Sequence, residues 1–189
     1  MSNTILSGNT VTADVTFVID VEKIRQSVMQ GHPAISMDPL NPTTINSGVY
    51  IATYTPKDGL KVTSSSGANI TVPISSNIRW RATTVSNNFD YSIVLYKFQK
   101  LSSGHDIISI PSQIWSQRPG GKEVPVIPSG VNANEDAPKL DFVELNDSYF
   151  QAIALNRGSE QYTWWFAAYD GRNLLGYFRY DPYVEVTNS

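Results

Sequence analysis

Residues 161–180 read QYTWWFAAYDGRNLLGYFRY: two aromatic and apolar runs, 161–169 and 174–180, flank Asp170-Gly171-Arg172-Asn173. A short glycine-bearing turn between two such runs is a strong hairpin signal, and aromatic side chains suit a pleated, half-buried surface. Working outward, Val15, Phe17, Ile19 and Val21 alternate with Thr16, Val18 and Asp20, the two-residue period of a strand. Further strands are expected over 48–54, 60–63, 69–74, 78–84, 91–100, 107–115, 139–145, 149–155 and 183–187, separated by clusters of Gly, Pro, Asn, Asp and Ser. Segment 91–100 is apolar on both faces and is expected to be central and covered on both sides. Pro111 suits an edge position for 107–115.

One stretch breaks the pattern. Asp20 stands where a helix N-cap would, and Val21, Ile24 and Val28 recur at helical spacing up to Gly31. Residues 32–47, with three prolines and two asparagines, read as a long loop. Residues 118–138, rich in Pro and Gly, read as an extended surface crossing. About ten short strands with turn signals and no βαβ alternation imply an all-β fold. The expectation is an antiparallel β-sandwich, jelly-roll or Greek-key-like, with one short helix near the N-terminus and one domain over 1–189. Its core is expected to hold Phe17, Ile19, Ile51, Trp80, Ile93, Leu95, Phe142, Ile153, Trp164 and Phe166.

Composition narrows the functions. There are no cysteines, which removes disulfides, thiolate metal sites and cysteine nucleophiles. A net charge of −3, with basic residues scattered rather than clustered, is a poor footprint for nucleic acid. In a strand Arg79 and Arg81 share one face and Trp80 takes the other, so they suggest a solvated or interface face rather than a nucleic-acid platform. The polar N-terminus carries no secretory signal pattern, and no segment approaches the ~20 apolar residues of a membrane span. The expected location is the cytoplasm, as inclusions or otherwise, with any release by a route that uses no signal peptide.

No catalytic motif is visible, and a non-enzymatic protein is expected. Only His32 and His105 offer imidazoles. His105-Asp106 near Ser102 and Ser103 looks superficially like a triad, but adjacent extended residues point to opposite faces. Scattered loop carboxylates are read as solvated. Asn132, Asn134, Glu135 and Asp136 place hard oxygen donors densely on one loop, with Glu135 and Asp136 as metal ligands; calcium is the cofactor such a set would take, though EF-hand spacing is missing. Asn87, Asn88 and Asp90, with Trp115 and Trp80 elsewhere, supply the ingredients of a sugar site: planar polar groups and an aromatic face.

Phe17-Val18-Ile19-Asp20 before a short helix, Ile78-Arg79-Trp80-Arg81, residues 88–96 (NFDYSIVLY) and residues 170–182 (DGRNLLGYFRYDP) together resemble the AidA/PixA inclusion-body protein family. The match runs in order from residue 14 to residue 187. The resemblance implies a small bacterial β-sandwich protein, accumulated in some members as cytoplasmic crystalline inclusions. A methionine-storage role suits methionine-rich members, whereas this chain has three methionines. The functional expectation is therefore a lectin-like, carbohydrate-binding protein acting as a multivalent homo-oligomer, most simply a dimer. The alternative is an inclusion or storage protein with no specific ligand.

Overall fold

The computed structural model describes residues 11–29, 34–63, 69–102, 104–115, 122–127, 140–145 and 148–188. The chain forms two compact units, one of residues 1–112 with 150–189 and one of residues 113–149.

The first unit is a two-sheet β-sandwich. Its first strand, β1 (Thr12–Ile19), turns Ala13, Val15, Phe17 and Ile19 inward, as the two-residue period requires. Asp20 then caps α1 (Val21–Met29): its Oδ1 accepts the Lys23 N–H at 2.9 Å, satisfying one of the orphan donors of the first turn. Val21 and Ile24 carry the helix onto the core. The strands β3 (Val49–Thr55), β4 (Gly59–Thr63), β6 (Asn77–Thr84) and β11 (Ser148–Ile153) complete this sheet in the order β4-β3-β1-β6-β11; the short strand β8 (Ser112–Trp115) follows Pro111 in the chain.

The second sheet is built on β12 (Gly158–Asp170), thirteen residues long. One flank of β12 pairs with β13 (Asn173–Tyr180) and then β14 (Tyr183–Thr187), and the opposite flank pairs with β7 (Tyr91–Lys100). The β12–β13 turn is the expected tight hairpin, with Asp170 opposite Asn173 and Gly171 at φ +55. Both sheets are mixed rather than purely antiparallel. Strand β1 runs parallel to β6, β2 (Thr43–Thr44) parallel to β13, and β5 (Asn69–Pro73) parallel to β14. The cause is crossing between sheets: β5 joins the second sheet while β4 and β6, its neighbours in sequence, lie in the first. Parallel pairing needs such long connections.

Between the sheets lies an aromatic core. Trp80, fully buried, sits 5.8 Å from Trp164, 5.9 Å from Tyr162 and 6.4 Å from Phe98, ring centre to ring centre. Its Nε1 donates to the Tyr162 hydroxyl at 3.1 Å, which answers the polar atom that burying an indole brings with it. Phe17, Ile19, Ile51, Ile93 and Phe166 join as expected, and Leu95 is partly buried against them.

Several expectations need correcting. Ile153 is 46% exposed because β11 turns Ala152 inward opposite Ile78, which sends Ile153 to the other face. Strand β7 is not central: it pairs only with β12 among the described residues. Its double-faced apolar pattern comes from a bulge. Phe166 faces Leu95 while Trp165 faces Lys97, so Tyr96 is the extra residue and the inward phase shifts from Ile93 and Leu95 to Phe98.

Residues 34–47 are not a free loop. Ser36 bridges Tyr177, β2 lies along Phe178 and Arg179, and Pro39 accepts a hydrogen bond from the Tyr96 hydroxyl at 3.0 Å. This strap helps explain why Trp165 and Ala167, on the opposite face of β12 from the core, are also buried. Gly176, at φ +155, is needed where the strap meets β13, since a Cβ there would collide with Ile35 and come within 3.2 Å of the Ser36 carbonyl.

In the second unit, β9 (Lys122–Val126) pairs antiparallel with β10 (Asp141–Leu145). The expected strandless crossing over 118–138 thus contains a strand, Pro125 included. Phe142, expected in the core, is 61% exposed on β10 of this two-stranded ribbon.

Candidate functional site

The β6–β7 connection, Val85-Ser86-Asn87-Asn88-Phe89-Asp90, gathers three of the sequence-predicted site residues in one turn. Its organiser is Thr84, 2% exposed at the end of β6. The Thr84 hydroxyl donates to the Tyr91 carbonyl at 3.1 Å and accepts the Asn88 N–H at 2.8 Å. In return Asn88 Oδ1 accepts the Thr84 N–H at 3.2 Å. Asn87 Oδ1 accepts from the Thr83 hydroxyl at 3.3 Å, and the Ser86 hydroxyl accepts the Asp90 N–H at 3.2 Å. The backbone of Asn87 and Asn88 is left-handed, at φ 53 and 61, a conformation that asparagine tolerates better than other non-glycine residues.

These bonds give the asparagines a structural task. Both side-chain oxygens close the turn, leaving the Nδ2 groups as the amide atoms with capacity for a ligand. At the tip Phe89 is 90% exposed, beside the exposed carboxylate-bearing Asp90. Phe89 is not among the sequence-predicted site residues; the signal for its exposure was an aromatic flanked by Asn, Asn and Asp, where a turn needs no ring.

The other predicted residues are not brought to this turn. Trp115, 60% exposed, is in β8 within the second unit. Asn132, Asn134, Glu135, Asp136 and His32 lie outside the described residues, and among those described no three His, Cys, Asp or Glu side chains are grouped to hold a metal. The Asp106 carboxylate is bound to Lys100 Nζ at 2.9 Å. Arg79 and Arg81 do share a face, with Trp80 opposite, and both reach Asp14, at 2.6 and 3.1 Å. A cleft of about 550 Å³ is lined by Val11, Thr55, Lys57, Asp58, Thr71 and Thr187 among others, and by none of the sequence-predicted site residues. Among the described residues no helix is long and apolar enough to cross a membrane.

Comparison with known proteins agrees with this geometry at the level of fold and family. The crystal structure of an inclusion body protein (PixA) from Burkholderia cenocepacia J2315 superposes with a TM-score of 0.68 at 20% identity, covering 96% of this chain and 99% of that one. At that identity the likeness shows the fold. No curated protein sequence matches the chain. The family model described as PixA, inclusion body protein, matches residues 11–186, nearly the whole of the sandwich and the second unit, and the chain therefore belongs to the PixA inclusion body protein family.

Proposed function

We propose that this chain is a non-enzymatic, lectin-like glycan-binding protein whose contact element is the β6–β7 turn. The observation that carries the reading is Phe89: a large ring held 90% exposed on a turn fixed by side-chain hydrogen bonds. Sugars offer aliphatic C–H patches on their faces and hydroxyls along their edges. The Phe89 ring would take the face, while the Asp90 carboxylate and the Asn87 and Asn88 amide nitrogens would take the edge. Trp115, in the second unit, would be an aromatic contact in its own right and no part of the turn's site. Calcium, if used, would be held by Glu135 and Asp136 with Asn132 and Asn134.

A single exposed ring and a few polar groups make a weak site, because each sugar hydroxyl exchanges one hydrogen bond with water for one with protein. Useful avidity then requires a homo-oligomer, most simply a dimer, that presents several turns to one glycan surface. The protein would act in the cytoplasm, in inclusions or otherwise, and would engage no nucleic acid. A second reading, an inclusion or storage protein without a specific ligand, is favoured by the family's description as inclusion body proteins.

A glycan array run on folded protein, once with calcium and once with chelator, separates the readings. Specific signals in both conditions support sugar binding without the metal, and loss with chelator supports the calcium loop. No signal in either condition favours the storage reading. The variants Asp90→Ala and Asp136→Ala then assign the loop responsible, and unchanged binding in both would remove these residues from the site.

A further inference from the structure

Lys100, the last residue of β7, is surrounded by oxygen. Its Nζ lies 3.3 Å from the Gly104 carbonyl, 3.1 Å from the His105 carbonyl, 2.9 Å from Asp106 Oδ1 and 3.8 Å from Glu160 Oε2. Glu160, on β12, is 1% exposed, and the same Oε2 accepts the Ile107 N–H at 3.1 Å. The Asn156 amide holds the Asp106 carbonyl at 2.7 Å, and the Leu101 N–H donates to the Gln161 carbonyl at 3.0 Å, so the far ends of the loop are fixed to the β12 region. Gly104, at φ +144, adopts a backbone conformation that side-chain-bearing residues avoid, and it starts the pair of carbonyls facing Nζ.

We propose that these four oxygens form a hard-cation site whose occupant is the chain's own Lys100 ammonium, so that removing the lysine turns the loop into a calcium site. Two carboxylates and two carbonyls are the donor types calcium takes, with water completing its shell. The charges favour a divalent ion: two carboxylates against one ammonium leave the cluster at −1, whereas a divalent cation in the ammonium's place brings it to zero. Calcium–oxygen bonds are shorter than the ammonium contacts by roughly 0.5 Å at Asp106 to roughly 1.4 Å at Glu160, so the loop must close on the Glu160 carboxylate, with Gly104 as its pliable point. In the native chain the tethered ammonium has the higher effective concentration and keeps calcium out. The loop is thereby held without metal. This inference is independent of the glycan reading, and it places a different cation site from the one expected over residues 132–136.

The test is thermal melting of Lys100→Ala in calcium and in chelator, with native protein and the double variant K100A/D106N alongside. The K100A protein is expected to melt about 3 °C or more higher in millimolar calcium than in chelator. The native protein should shift by less than about 1 °C, and the double variant should lose most of the response. Folding of K100A in calcium but not in chelator would be the same result in stronger form. An equal calcium shift in native and K100A protein places the metal elsewhere and overturns the proposal. So does a K100A protein that calcium leaves no more stable than chelator, including one that folds in neither.

Discussion

The aromatic core and the β6–β7 turn belong to the same unit, and a single residue, Thr84, ends a core strand and organises the turn. Four positions before it, Trp80 is wholly buried and its indole N–H is answered by the Tyr162 hydroxyl. Five positions after it, Phe89 is 90% exposed. Both are large aromatics, yet one lies where apolar area is removed from water and the other where it is held in water. The difference teaches that aromatic content by itself does not mark a site in this chain. What distinguishes Phe89 is that polar side chains, rather than packing, fix the backbone beneath it.

Truncating the core should cost most. Trp80→Ala removes the hub of the ring cluster and leaves the Tyr162 hydroxyl without its donor; a loss of about 3–5 kcal/mol in denaturant titration is expected. A loss under about 1 kcal/mol would mean the sheets do not pack on this residue. Thr84→Ala should cost about 1–3 kcal/mol, because a buried hydroxyl that both donates and accepts is deleted and the Asn88 N–H loses its partner. If glycan binding also falls in this variant, the turn depends on its anchor. Asp20→Ala, which removes the α1 cap, should cost about 1 kcal/mol and leave binding unchanged.

Tyr96 sharpens the comparison on the other face of β12. Its hydroxyl is pushed up to about 12, first by burial and then by Tyr177 and Asp38. The neutral hydroxyl donates to Pro39, so the native state resists ionisation that the unfolded chain undergoes near 10. The stabilisation is fully present below pH 10 and is lost as pH rises toward 12. Tyr96→Phe should therefore lose tyrosinate absorbance near pH 12 and keep the native rise near pH 10; a loss confined to the rise near 10 would show that the strap leaves Tyr96 in water.

Much of the fold was legible because it rests on local chemistry. The alternation of Val15, Phe17 and Ile19, the Asp20 cap and the turn at Gly171 each declare themselves within a few residues. The misjudged features are non-local. The Tyr96 bulge depends on the register of β12, the burial of Trp165 is shared with a strap more than a hundred residues earlier in the chain, and the phase of Ile153 follows from Ala152 facing Ile78. At the candidate site, Asn87, Asn88 and Asp90 were legible as a polar cluster, but period and composition cannot say that the amide oxygens turn inward to close the loop. The partnership of Lys100 with Glu160 was hidden for the same reason, since only strand pairing brings them together.

The smallest expected effect on stability belongs to the variant that bears most directly on the proposed function. Phe89→Ala should change stability by no more than about 0.5 kcal/mol, since the ring packs on little that unfolding would expose. Calorimetric titration of native and Phe89→Ala protein with a glycan selected on the array is the direct measurement. Saturable binding by the native protein, reduced tenfold or more in the variant at unchanged melting temperature, is the predicted result. Equal affinity in the two folded proteins would contradict the assignment of the β6–β7 turn as the binding element.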